Sequence, residues 1–240
     1  MAIIDLLVKN VFGSAVVLSN AQIAPHAFHI TIQSDDFKKH EYRPGEHLRL
    51  FVGLDRDTAL NEKLRTYSIW DFDGARGIVD IAACTHSSGV GAKWVQQAKT
   101  GDTIFFKGPT DKLSVDHNAI SYLMIGDDSA LSHMYAIRRA IPSTKKIHSF
   151  MYAAHRADLY EDIDGTFPLD LLELPVNPSD QIISRIGSIK EQLSPGTIAY
   201  LGGDARVCKD IGRYLRQELK WDSRQVRSKG FWMPGKKGMD

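Results

Sequence analysis

Residues Leu64 to Trp94 read LRTYSIWDFDGARGIVDIAACTHSSGVGAKW. The stretch opens with Arg65-Thr66-Tyr67-Ser68, a cation, an aromatic ring and a hydroxyl close together. In an extended segment Arg65 and Tyr67 point to one face, and Thr66 and Ser68 to the other. A guanidinium can grip a phosphate with a fork of donors. The aromatic ring two residues on can cover a flat heterocycle, and the hydroxyl can bond its edge. Further along comes Gly89-Val90-Gly91-Ala92-Lys93-Trp94, a small-residue turn leading into a short helix. Small residues let backbone N–H groups approach an anion, and a helix N-terminus favours negative charge. A phosphate clamp, a ring platform and an anion-binding helix start point to a dinucleotide, and their order points to a flavin. Each piece alone is common. The combination, followed by Gly101-Asp102 and Gly108-Pro109, carries the reading.

Working outward, 240 residues can bury a sizeable core and allow one large or two small domains. With 43% hydrophobic and 25% charged residues, the composition excludes disordered and collagen-like classes. A net charge of +1 gives no general pull toward nucleic acid or acidic membranes. No apolar run approaches the roughly 20 residues that cross a bilayer. The segment from Met1 to Lys9 lacks a basic leader and a long apolar stretch, so no signal peptide is expected and a cytoplasmic location is. Two cysteines, Cys84 and Cys208, are too few for an iron–sulfur cluster, which takes about four thiolates. The nine histidines show no metal-binding spacing, so no resident metal is expected.

Upstream of the opening stretch the pattern is that of strands. Phe28, Ile30 and Ile32 alternate onto one face, Tyr42-Arg43-Pro44-Gly45 forms a turn, and Leu48 to Val52 is extended. Arg65 to Trp70, Gly77 to Cys84 and Thr103 to Phe106 add further strands. Short strands at this spacing, with one short helix near Trp94, predict a small Greek-key barrel. After about His117 the pattern changes. Tyr122 to Ile125 is a continuous apolar run, as in a buried parallel strand. A Gly-containing turn then leads to Leu131, Met134, Ile137 and Ile141 at helical spacing. Ile147 to Ala153 and Ile182 to Ile186 read as strands. Ile198 to Leu201 with Gly202-Gly203, then a helix from Ala205 to Leu219, reads as another βα unit. The expected architecture is a barrel over residues 1–117 and a parallel-sheet α/β domain over 118–240.

The chain resembles the siderophore-interacting protein family, flavoproteins of the ferredoxin reductase-like superfamily that reduce ferric siderophores. The resemblance runs through Tyr42 to Leu48, Arg65 to Ile69, His86 with Gly89 through Trp94, Gly101-Asp102, Gly108-Pro109, Gly126 to Leu131, and Lys229-Gly230-Phe231-Trp232. It implies an FAD-binding barrel followed by an NAD(P)H-binding-like domain. The implied activity is reduction of Fe(III)-siderophore to Fe(II), with electrons from NADH, NADPH or a reduced ferredoxin. The partner is then a small ferric siderophore, possible ferredoxin docking aside, and the protein is expected to be monomeric. A reductase module passing electrons from NAD(P)H to a protein acceptor is the alternative.

The resemblance also assigns residues. Arg65, Tyr67 and Ser68 fall to the pyrophosphate, the isoalloxazine ring and the flavin edge. Ile69, Thr85, His86, Gly89, Gly91, Ala92 and Trp232 complete the cofactor set, with His86 equally readable as a hydrogen-bonded structural histidine. Trp94 is expected to pack in the core. Relatives show Gly-Pro-Ala-Ser at the turn where this chain has Gly89-Val90-Gly91-Ala92, so backbone amides must replace a serine hydroxyl at Ala92. Gly126-Asp127-Asp128-Ser129 opens the second domain without a Gly-x-Gly-x-x-Gly fingerprint. Asp127 and Asp128 read equally as helix caps or as groups facing a cofactor. The last segment is basic, and Lys229 is the first candidate for holding an anionic siderophore, with Arg43 and Lys112 beside it.

Overall fold

A computed structural model describes residues 12–53, 63–86, 89–111, 113–166 and 168–236. The chain divides into two compact units, one up to residue 112 and one from 113 onward.

The first unit is a closed barrel of six strands: β1 (Gly13–Ala24), β2 (Ala27–Gln33), β3 (Glu46–Phe51), β4 (Leu64–Asp73), β5 (Ile78–Cys84) and β6 (Thr103–Asp111). The strands run round the barrel in the order β1-β2-β5-β4-β3-β6, and β1 pairs with β6 to close it. Closure leaves no unpaired edge within the barrel. Alternate residues point inward, so Ile30, Ile32, Leu48, Leu50, Ile69, Val79 and Ile81 fill the interior and are fully buried. Among the described residues, helix α1 (Val90–Gln97) covers this barrel, with Val95 buried in the same core. Trp94 packs against that core, as expected, its ring centroid 6.0 Å from that of Tyr67.

The second unit is a five-stranded sheet: β7 (Ser121–Asp127), β8 (Lys146–Ala153), β9 (Leu171–Glu173), β10 (Thr197–Asp204) and β11 (Val226–Trp232). The order across it is β11-β10-β7-β8-β9, and each neighbouring pair is parallel. Every residue of β7 is buried, which explains its unbroken apolar run. Its helices are α2 (Leu131–Ala140), α3 (Ser179–Ile189) and α4 (Ala205–Gln217). Leu123, Ile125, Ala199 and Leu201 pack with Ile182 and Ile186 of α3 and with Val207, Ile211 and Leu215 of α4. On strands β7 and β10, Tyr122 and Tyr200 stack with centroids 6.3 Å apart. Their hydroxyls donate to the carbonyls of Asp116 and Ser114.

Two elements differ from the sequence reading. Ile182 to Ile186 is not a strand but the middle of α3. Its β-branched run looks extended, yet the fully buried pair Ile182 and Ile186 lies one helical turn apart. The basic terminal segment contains β11, which the sequence did not announce because Arg227, Ser228 and Lys229 break the apolar signal. An edge strand tolerates such residues, and charge there discourages pairing with other chains.

Candidate functional site

In the barrel unit the site is built where β4 meets the start of α1. Arg65 and Tyr67 share one side of β4 through its two-residue period. A β-carbon on Gly91 would lie 3.0 Å from the Tyr67 hydroxyl and 3.2 Å from Cγ of Arg65. Any larger residue at that position would press on both side chains, which would have to give by a few tenths of an ångström. Both side chains are half-buried, and Arg65 Nη1 donates to the Leu64 carbonyl at 2.7 Å. Gly89 is the N-cap and contributes no side chain, so the first-turn amides of Val90, Gly91 and Ala92 have no acceptor within the helix. A guanidinium, an aromatic face and open amides thus converge within one unit. That donor set fits a dinucleotide phosphate beside a flat ring, the chemistry FAD requires.

The other barrel residues named from the sequence take distinct positions. Ser68 lies on β4 opposite His47 of β3, on the side of the strand away from Tyr67. Ile69 is fully buried in the barrel core, so its backbone is what it can offer a ligand. Thr85 is buried beyond the end of β5, where its amide donates to the His26 carbonyl at 2.8 Å. His86 is exposed, its ring 5.5 Å from that of His26. Ala92 is buried in the first turn of α1. Arg43 is exposed in the turn before β3, and its amide donates to the buried Glu46 carboxylate at 3.2 Å. The same Glu46 oxygen accepts from His40 at 2.7 Å. Lys112 lies outside the described residues.

In the second unit the polar groups gather at the C-terminal ends of β7, β10 and β11. Strand order reverses between β7 and β10, and in open parallel sheets that position is where ligand crevices form. Asp127, fully buried, caps the short 3-10 turn that follows β7 by accepting from the Ser129 amide at 3.0 Å. It also accepts from the Ser129 hydroxyl, from the Asp204 amide at 2.7 Å and from Trp232 Nε1 at 2.8 Å. Burial, and then the charge of Asp128, push its carboxyl up to about 6, against the Ser129, Trp232 and Asp204 bonds that favour ionisation. The cap reading of Asp127 therefore holds, but a cap accounts for only part of its bonding.

Gly203 and Asp204 were not singled out by the sequence as site residues. Gly203 has φ +107, and a β-carbon there would sit 2.4 Å from the Asp127 carboxylate. Asp204 caps α4 through the Arg206 amide at 2.9 Å and pairs with the Arg206 guanidinium at 2.6 Å. The Gly-Gly-Asp run directly after an apolar strand was the available signal. Lys229 is half-buried on β11 opposite Gly202, its Nζ 5.7 Å from the Phe231 ring centroid. Phe231 meets the His133 ring edge-on at 5.6 Å. Cys208 is buried, and burial pushes its thiol up to about 12, which makes it a poor nucleophile at neutral pH.

Two family models divide the chain as the two units do. The siderophore-interacting FAD-binding domain matches residues 54–113, and the siderophore-interacting protein model matches residues 119–235. An uncharacterized protein of Mycobacterium tuberculosis is 25% identical over 199 residues, covering 76% of this chain and 69% of that protein. Among solved structures, the siderophore-interacting protein SipS from Aeromonas hydrophila is 20% identical with a TM-score of 0.78, covering 93% of this chain and 92% of SipS. A ferredoxin-NADP+ reductase from Plasmodium falciparum, 13% identical, has a TM-score of 0.73 and covers 93% of this chain and 97% of that one. The barrel and parallel sheet are thus a ferredoxin reductase-like fold, the cradle at Arg65, Tyr67 and Gly91 lies within an FAD-binding domain, and the chain belongs to the siderophore-interacting protein family.

Proposed function

We propose that this protein is an FAD-dependent oxidoreductase that reduces Fe(III) in a ferric siderophore to Fe(II) and so releases the iron. The observation that carries the reading is the cradle of Arg65, Tyr67 and the open amides of α1, within a domain matched as siderophore-interacting and FAD-binding. Arg65 and the first turn of α1 neutralise and orient the pyrophosphate, and Tyr67 covers the ring beside them. Bound FAD would supply the redox chemistry, since a flavin can exchange electrons in pairs or singly.

Siderophores hold iron through hard oxygen donors, which grip Fe(II) far more weakly than Fe(III), so electron transfer is itself the release step. The polypeptide then needs no general acid or base for that transfer. Its task is to bring an anionic ferric complex within electron-transfer range, and Lys229 on β11 is the residue proposed to supply positive charge for it. NADH, NADPH and a reduced ferredoxin are the candidate donors.

The test is Fe(II) capture. Purified FAD-loaded protein is supplied in turn with each donor, a ferric siderophore and a coloured Fe(II) chelator. Catalytic Fe(II) formation with one donor supports the reading. Flavin reduction without Fe(II) from any ferric siderophore rejects it.

A further inference from the structure

Helix α1 presents its first turn to the cradle with no side-chain cap, so its angle is set elsewhere. Its inner face is one anchor: Val95 lies in the barrel core, with Val90 and Trp94 packed against that core. Such apolar contacts are non-directional and fix the depth of a helix more than its angle. The directional ties lie at the far end, where the last carbonyls of a helix have no intrahelical donor. Here the carbonyls of Val95 and Ala98 accept from Nδ2 of one side chain, Asn20 on β1, at 2.7 Å and 2.9 Å. Both acceptors are carbonyl oxygens, so only the amide nitrogen can serve them. Oδ1 of the same side chain is buried with no partner among the described residues. An unpaired buried acceptor is unfavourable by itself, so the two bonds from Nδ2 are what hold this side chain in place. The segment that leaves α1 is fastened to the same strand. The Gly101 amide donates to the Val17 carbonyl at 2.8 Å, and the Val17 amide to the Asp102 carbonyl at 2.9 Å. The Thr100 hydroxyl donates to the carbonyl of Leu18 at 3.0 Å, where a register shift on β1 leaves Leu18 as an extra residue. Asn20 differs from these ties in acting on the helix itself.

We propose that Asn20 is a positioning residue for the cofactor, its side-chain amide fixing the angle at which the open first-turn amides of α1 meet the FAD pyrophosphate. The inference rests on the FAD reading of the cradle given above, and every residue it uses belongs to the barrel unit. The 8 residues of α1, at about 1.5 Å each, make a rod about 12 Å long. A tilt of about 5° at the Asn20 end then moves the first turn by about 1 Å. Binding groups need to be held within about 0.5 Å of their working geometry, so such a tilt weakens donation to a phosphate. The isoalloxazine ring, which this reading places against Tyr67, is held by β4 and not by α1. Loss of the Asn20 tie is therefore felt by the phosphates and not by the ring.

The experiment compares FAD with riboflavin, which carries the same ring and no phosphate. Each is titrated into the flavin-free full chain and binding is read by flavin fluorescence, with melting recorded alongside. In Asn20→Ala and in the isosteric Asn20→Asp, the ratio of FAD to riboflavin affinity should fall about tenfold, with riboflavin affinity changing by less than about twofold. Asn20→Ala keeps the test decisive where the buried charge of Asn20→Asp prevents folding. Thr100→Val removes a neighbouring tie to β1 without touching a carbonyl of the helix, and should leave the ratio unchanged. A wild-type ratio in folded Asn20→Ala overturns the positioning role and leaves the FAD reading intact. An equal fall in Thr100→Val shows that general loosening of this edge is responsible, and overturns the particular role of Asn20. Wild-type protein that binds FAD no more tightly than riboflavin rejects the pyrophosphate reading of the cradle, and the proposal goes with it.

Discussion

The cradle beside β4 and the cluster at the end of β7 treat hydrogen bonding in opposite ways. At the cradle, helix α1 begins with amides that have no intrahelical acceptor, next to a half-buried guanidinium. Around Asp127, one carboxylate receives four donors and is itself fully buried. Donors left open on a rigid frame are an invitation to an anion from outside the chain. Donors converging on an internal carboxylate are already satisfied, and serve to fix the groups that carry them. The first arrangement binds. The second orients.

That contrast breaks most readily at Gly203. Gly203→Ala places a β-carbon against the Asp127 carboxylate on a backbone at φ +107. It should lower the unfolding free energy by at least about 3 kcal/mol, read by thermal or denaturant melting. Unchanged melting would mean that the carboxylate is not held where the hydrogen bonds put it.

The next effect is in the pH dependence of stability. Asp127 has a folded value of about 6 against an ordinary 3.8, so the folded state holds the proton more tightly than the unfolded one. Its contribution is fully present below the ordinary value and is lost as pH rises through the folded one. Across that window the wild type should lose about 3 kcal/mol that Asp127→Asn does not. Parallel stability curves for the two proteins would remove the buried charge from the account.

Smaller effects belong to the binding side. Arg65→Ala should weaken FAD binding by about thirtyfold in a fluorescence titration of the apoprotein, while melting of the apoprotein changes by less than about 0.5 kcal/mol. A loss of stability comparable to that of Gly203→Ala would show that Arg65 braces the barrel instead. The smallest change is expected at Lys229. Lys229→Ala should raise the KM for an anionic ferric siderophore by about threefold, with the difference fading as salt is added, because a partly exposed charge is screened.

The two regions also differed in how far the sequence disclosed them. Arg65 and Tyr67 stand two apart on a strand, and Gly91 follows in the same stretch, so alternation and one small-residue turn were enough to bring them together. The barrel was legible for the same reason: Ile30 and Ile32, or Leu48 and Leu50, alternate plainly. The Asp127 cluster joins residues 127, 203, 204 and 232, and no local pattern links them. Only the parallel pairing of β7, β10 and β11 does. Helix α3 was misread because Ile182, Ile183 and Ile186 have strand-like side chains, and tertiary burial of one face overrode that preference. Strand β11 was missed because its charges belong to an edge.

The central claim is that bound flavin gives its electrons to iron held by a siderophore. The most direct measurement mixes anaerobically reduced, FAD-loaded protein with ferric siderophores in a stopped-flow instrument, with an Fe(II) chelator present. Flavin reoxidation matched in time and in electron count by chelated Fe(II) is the expected result. Flavin that remains reduced in the presence of every ferric siderophore, yet is reoxidised by a protein acceptor, would contradict the claim.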